Sequence, residues 1–264
     1  PAEASLLFML GRLEVLSATQ TEQAEAQKLS QALQRQLRAM AQGGLYDHVH
    51  GGFHRYSTDG QWLVPHYEKM LYNQAQLMMV YSRAYILFGD PLYRDVVLDI
   101  AAFIRRWMFN DKAGFYSAID ADYEGHEGRY YLWHLQNLKR LLPEPTAGLK
   151  TYPIEQGELL GVVLEPSHSK ASAVIREILR SARAEQPPPH IDKKIITAWN
   201  ALMVWALADA FVATCDATLR QWALDSAERL WSDHFAAEAN RLLRSRYLGQ
   251  RGGIGHMADY AYLA

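Results

Sequence analysis

Among 264 residues the chain has one cysteine, Cys215. That excludes an internal disulfide and any zinc or redox motif built from several cysteines, and makes a reducing compartment the simplest expectation. Neither sign of charge is in excess. With 27 basic and 29 acidic residues the formal net charge is -2, which gives no electrostatic footprint for nucleic acid or an anionic membrane surface. Long apolar runs are also missing: the stretch from Ala201 is cut by Asp209, well short of the roughly 20 residues a membrane span requires. Pro1-Ala2-Glu3-Ala4 places no basic region ahead of an apolar stretch, so no signal peptide is recognisable. The expectation is a soluble, cytoplasmic protein with no nucleic-acid or membrane partner.

What the sequence does contain is helical periodicity in pairs. Residues 4–16 are apolar nearly all round, whereas 22–41 carry one stripe at Ala26, Leu29, Leu33, Leu37 and Met40. The same contrast recurs for 66–88 against 91–108 and for 194–214 against 218–235, with a shorter pair near 133–142 and 169–184. A helix apolar on every face should be enclosed and a striped one can face water, so the alternation predicts inner and outer helices. Two pairs look like copies: Leu71-Tyr72-Asn73 aligns with Ala198-Trp199-Asn200, Gly89-Asp90 with Cys215-Asp216, and Trp107 with Trp231. Asp90-Pro91 and Asp216 stand where helix N-caps belong.

Short glycine-aromatic segments at 51–56, 114–118 and, more weakly, 242–247 separate the pairs and predict small β-ribbons. Residues 143–168 hold Pro143, Pro145, Pro153 and Pro166 with poor periodicity, which predicts an irregular excursion. The fold class is therefore all-α: a toroid-type (α/α)6 barrel of helical hairpins with short β-ribbons, read as one domain over 1–264. A further helix starts at Met257, and about two more hairpins would be needed to close a ring.

The densest chemistry lies in 43–73. Four of the ten histidines, His48, His50, His54 and His66, are interleaved there with glycines, aromatics and carboxylates. Asp120, Asp122, Glu124 and Glu127 form an acidic cluster further on. Gly43 to Asn73, Gly114 to Asp122 with Glu127-Gly128 and Tyr131-Leu132-Trp133, and Asp192-Lys193-Lys194 with Trp199-Asn200 together resemble the thioredoxin-domain-containing, spermatogenesis-associated family. That family is similar to the N-acylglucosamine 2-epimerase and six-hairpin glycosidase barrels. Its members begin with a thioredoxin-like domain bearing a cysteine pair; neither is present here, and 143–190 departs from the family pattern. The resemblance implies the barrel part only, with a thioredoxin-like domain as a partner in the longer protein.

Related epimerases move protons with histidine, whose unperturbed pKa suits both acid and base roles. On that basis His66 is the first candidate catalytic residue, with Glu68, His54 and Asp120 beside it. Arg55 and Lys69 could hold an anionic or developing negative charge, or pair with neighbouring carboxylates. Asp122 could accept from sugar hydroxyls, and Tyr72, Trp62, Asp192, Trp199 and Asn200 complete the candidate substrate-binding set. No cofactor and no metal are expected. A sugar or polyol is the expected small-molecule partner, and isomerisation or 2-epimerisation the preferred activity. Glycoside hydrolysis by two of the acidic residues, and a non-catalytic module binding a sugar or a protein partner, are the alternatives.

Overall fold

A computed structural model describes residues 2–18, 20–142, 149–154, 159–165 and 169–264. Helices dominate these residues: α1 (Glu3–Ser17), α2 (Gln23–Gln42), α3 (Leu71–Phe88), α4 (Pro91–Phe103), α5 (Leu135–Leu141), α6 (Lys170–Arg183), α7 (Thr197–Thr214), α8 (Ala217–His234) and α9 (Met257–Leu263). The all-α expectation holds, with short strands between the helices. The chain divides into two compact units. The first is formed by 21–69 and 120–190, and the second by 2–20, 70–119 and 191–264.

In the second unit the internal repeat is visible as two hairpins of matching construction. α3 and α7 are each 18 residues long, and each ends in a left-handed residue, Gly89 (φ 66°) or Cys215 (φ 59°). Asp90 and Asp216 then cap α4 and α8 by accepting from Leu92 N and Thr218 N, as capping aspartates do. α3 packs on α7, α4 on α3 and α8 on α7, while α1 adds to α3 and α9 to α7. The helix starts set Leu71 opposite Thr197, so the two asparagines are out of step. Asn73 is third in its helix and Asn200 fourth. Apolar composition on every face did not enforce enclosure: Phe8 and Val15 on α1, and Trp205 and Val212 on α7, are exposed, as scattered apolar surface commonly is.

The first unit is built differently. α6 lays Ser172, Ile175, Arg176, Leu179 and Arg183 inward, the spacing of one helical face. Its apolar members join a core with Val49, Trp133, Leu138, Val162 and Leu164. The stretch expected to be irregular contains an antiparallel pair, Leu149–Ile154 against Leu159–Leu164, with the latter also joined to Trp133–His134. The continuous apolar run Leu159 to Leu164 reads as a buried strand, and Pro153 is tolerated because its strand lies at the sheet edge. Pro143, Pro145 and Pro166 lie outside the described residues.

Residues 45–54 form a tight reversal: Asp47 N donates to Gly52 O and His54 N to Leu45 O, and the chain passes through Gly51 and Gly52 at φ 81° and 71°. Positive φ at two successive positions explains the glycine pair. Gly44 is required by close approach instead, because a Cβ there would collide with the Leu63 carbonyl and the Tyr152 hydroxyl. Gly44→Ala should therefore destabilise the fold by about 1–3 kcal/mol in urea titration, the usual range for overpacking.

The expected helix over 66–88 begins instead at Leu71. Pro65–His66 pairs with Tyr56–Ser57, Tyr56 opposite His66, and 65–70 alternates strictly between buried and half-buried. A period of two, not 3.6, governs these residues. Tyr67 and Lys69 go inward, and His66 and Glu68 outward.

Candidate functional site

That alternation sorts the histidine-rich segment into an internal cluster and an open rim, both within the first unit. The internal cluster centres on Asp47. Its Oδ1 accepts from Val49 N (3.0 Å) and His50 N (3.2 Å), and its Oδ2 from Lys69 Nζ (2.8 Å). Arg183 Nη1 reaches both oxygens at 3.1 and 3.2 Å, and its Nη2 donates to Tyr131 O at 3.0 Å. Lys69 also donates to Gly51 O (2.9 Å). The Arg183 guanidinium lies against the rings of Tyr130, Tyr131 and Trp133, a placement that suits a planar cation.

All three charged groups are buried. Burial pushes the Asp47 carboxyl up, but Lys69 and Arg183 outweigh it and hold the group well below its ordinary range. Lys69 moves down to about 8, driven first by burial and opposed by Asp47. The two shifts follow from one anion shared by two cations, of which only the lysine can give up its proton. Between about pH 8 and the ordinary lysine value of 10.5 the unfolded chain then binds a proton that the folded chain does not. Stability should rise with pH across that window and lose this rise in Lys69→Met. At the acid end Asp47 gives a slope of the same sign: its contribution is complete above its ordinary value of 3.8 and is lost as pH falls through the depressed folded value. Urea titrations of both proteins from pH 2.5 to 10.5 check both arms.

His54 belongs to this interior. Its Nδ1 lies 2.9 Å from Tyr67 O, and burial, then the Lys69 charge, lowers its pKa to about 3. It is a neutral, packed imidazole between Tyr67 and Tyr131. His48 is also buried, donating from Nε2 to Gly43 O at 2.9 Å. Among the described residues no group of three or more His, Cys, Asp or Glu side chains is placed to hold a metal ion.

The rim is made by His66, Glu68, Arg55, Tyr56 and Glu127. His66 Nδ1 lies 2.5 Å from Glu127 Oε1, which also accepts from Tyr67 N at 3.3 Å. Its Nε2 is 3.7 Å from Glu68 Oε2, and that oxygen accepts from Arg55 Nη1 at 2.8 Å. The Tyr56 ring stacks on the imidazole, 5.0 Å between centroids. Since a carboxylate oxygen accepts here, the Glu127 contact places a proton on Nδ1, and Nε2 is the ring nitrogen on the Glu68 side. Such a pair can act as a base whose tautomer is fixed from behind.

Glu127 sits on a hairpin, His126–Glu127 against Asp122–Tyr123. Asp122 is exposed there, and exposed Asp120 just before it accepts from Asp122 N at 3.2 Å. Sequence reasoning placed Glu127 in the acidic cluster without nominating it for the site. The signal was its neighbour: Gly128 takes φ 75° under the Tyr67 ring, which fixes the hairpin against the strand that carries His66.

Lys69 and His54 face the interior, while Trp62 is half-buried with φ 62°. In the second unit, Asn200 clamps a strand by accepting from Phe115 N (2.8 Å) and donating to Phe115 O and Ile196 O (both 3.0 Å). Tyr72 and Trp199 pack on each other at 5.0 Å, and Asp192 pairs with Lys194 at 3.1 Å. A concavity of about 580 Å³, lined in part by Leu98, Arg105, Leu219 and Trp222, is also in this unit and contains none of the nominated residues. Among the described residues no helix is long and apolar enough to cross a membrane.

Comparison with known proteins bears out the family resemblance carried by 43–73 and 114–133. The chain is 36% identical over 281 residues to human spermatogenesis-associated protein 20, spanning 86% of this chain and 36% of that protein. An uncharacterised Caenorhabditis elegans protein is 29% identical over 318 residues, 100% of this chain and 42% of its own length. The chain thus spans between a third and a half of these relatives. No family model matches it. A solved α-1,6-mannanase variant from a Salegentibacter species, in complex with α-1,6-mannotetrose, aligns with 86% of this chain and 46% of its own at 12% identity and a TM-score of 0.48.

Proposed function

From a chain that belongs to the family of spermatogenesis-associated protein 20, and from the geometry of its rim, we propose a domain that binds a sugar or polyol beside His66 and moves a proton on it. The observation that carries this reading is the His66 to Glu127 contact at 2.5 Å, with Nε2 on the other side of the ring 3.7 Å from Glu68 Oε2. In the proposed reaction Nε2 takes a proton from the carbon next to the sugar carbonyl, and the imidazolium formed lies between Glu127 and Glu68. Arg55 brings positive charge toward the developing enolate oxygen. Asp120, Asp122 and the exposed Tyr56 ring are proposed to contact hydroxyls and the C–H face of the ring.

Of the four histidines between 48 and 66, His66 alone is not buried. A single base can carry a proton between adjacent carbons on one face, which favours aldose–ketose isomerisation over epimerisation, where an acid on the opposite face is needed. The same observation supports a second reading, a module that binds sugar without turning it over, because His54 and Lys69 are engaged in the interior.

A panel of aldoses, ketoses and oligosaccharides followed by NMR separates these readings. Interconversion of an aldose with its ketose supports the proposal. New reducing ends from an oligosaccharide would replace it with hydrolysis, and saturable binding without turnover would replace it with the binding module.

A further inference from the structure

In the second unit a concavity of about 210 Å³ is lined by Asn110, Lys112, Tyr116, Lys193, Arg246 and the turn Leu248-Gly249. No carboxylate is in its lining. Lys112 stands on a turn fixed by Asn110, whose Oδ1 accepts from Lys112 N at 2.9 Å. The next lysine after Lys193 is paired with Asp192, whereas Lys112 and Lys193 have no ion pair among the described residues. Arg246 lies across a strand pairing from Ile195. Its Nη1 is held by Asp233 at 2.9 Å, which fixes the guanidinium plane, and its Nε is buried without a hydrogen-bond partner among the described residues. Leu248 and Gly249 both take left-handed φ, 47° and 82°, and so close the hairpin that forms one side of the concavity.

We propose that this concavity binds the phosphate of a small phosphorylated metabolite, with Lys112, Lys193 and Arg246 as its cationic contacts. One oriented guanidinium and two mobile ammonium groups match a tetrahedral dianion, since arginine donates along fixed directions and lysine acts as a point charge. The volume is below that of a pocket enclosing a drug-sized ligand. It accommodates a phosphate with a few attached atoms and leaves the rest of the molecule in solvent. The proposal concerns residues outside the His66 rim and stands whether or not the proton-transfer reading does.

The test is isothermal titration with pyrophosphate as the probe and malonate as a carboxylate dianion, at constant ionic strength. Wild type is compared with Lys112→Met, Lys193→Met and the double variant. Both lysines are exposed, so the variants should fold, and circular dichroism verifies it. Saturable pyrophosphate binding, weakened about tenfold in the double variant and at least about fivefold tighter than malonate, is the expected result. Absence of saturable binding, affinity unchanged in the double variant, or malonate bound as tightly as pyrophosphate would each overturn the assignment.

Discussion

His66→Gln should lower the turnover of a responsive sugar by at least about 100-fold, the contribution typical of a positioned general base, while changing its binding affinity by less than about threefold. Glutamine keeps the approximate length and can still accept from a ligand hydroxyl, but it cannot take up a proton at neutral pH. The loss should therefore fall in kcat. A raised KM with unchanged kcat would instead assign His66 to uniform binding. Glu127→Gln is the companion variant. An amide can both donate and accept, so it no longer dictates which imidazole nitrogen carries the proton, although the 2.5 Å contact can be kept sterically. A kcat loss smaller than that of His66→Gln but still above about tenfold is expected, because only part of the population keeps the reactive tautomer.

The second large effect is on stability. Asp47→Ala should destabilise the protein by about 3–5 kcal/mol, because it leaves Lys69 and Arg183 as uncompensated buried cations. Two backbone N–H groups, those of Val49 and His50, would also lose their acceptor. Against a total stability of roughly 5–15 kcal/mol, that is enough to leave a measurable unfolded population. Lys69→Met should stay within about 1 kcal/mol of wild type, since it removes the surplus cation and keeps the Arg183 to Asp47 pair. Equal losses in the two variants in urea titration would contradict the account of one anion shared by two cations.

The helical framework was legible in the sequence because its signals are local. Capping aspartates at 90 and 216 and the stripe of α2 need no tertiary information; α4 and α8 start within a residue of where the pattern placed them, whereas α3 and α7 start five and three residues later than expected, at Leu71 and Thr197. The strand pair after residue 148 was obscured by its prolines, since Pro153 argues against a strand unless that strand is known to be at an edge. The site was legible only in part. Residues 66–70 contain both apolar and polar side chains at positions compatible with either period, and a helical reading puts His66 and Lys69 on the same face. Pairing with 56–57, a contact ten residues away in sequence, decides for the extended form. It sends Lys69 to Asp47 and His66 to the rim. The Glu127 partner is 61 residues from His66, and Arg183 is 136 from Asp47. No local rule connects residues that far apart.

The central claim is that His66 Nε2 takes a proton from carbon. Its most direct measurement is solvent exchange: wild type and His66→Gln are incubated with the same aldose in deuterated water, and deuterium at C1 and C2 is read by NMR. Incorporation catalysed by wild type and reduced at least about 100-fold in the variant is the predicted result. Incorporation at equal rates in the two proteins, or none with wild type on any sugar that it measurably binds, would contradict it.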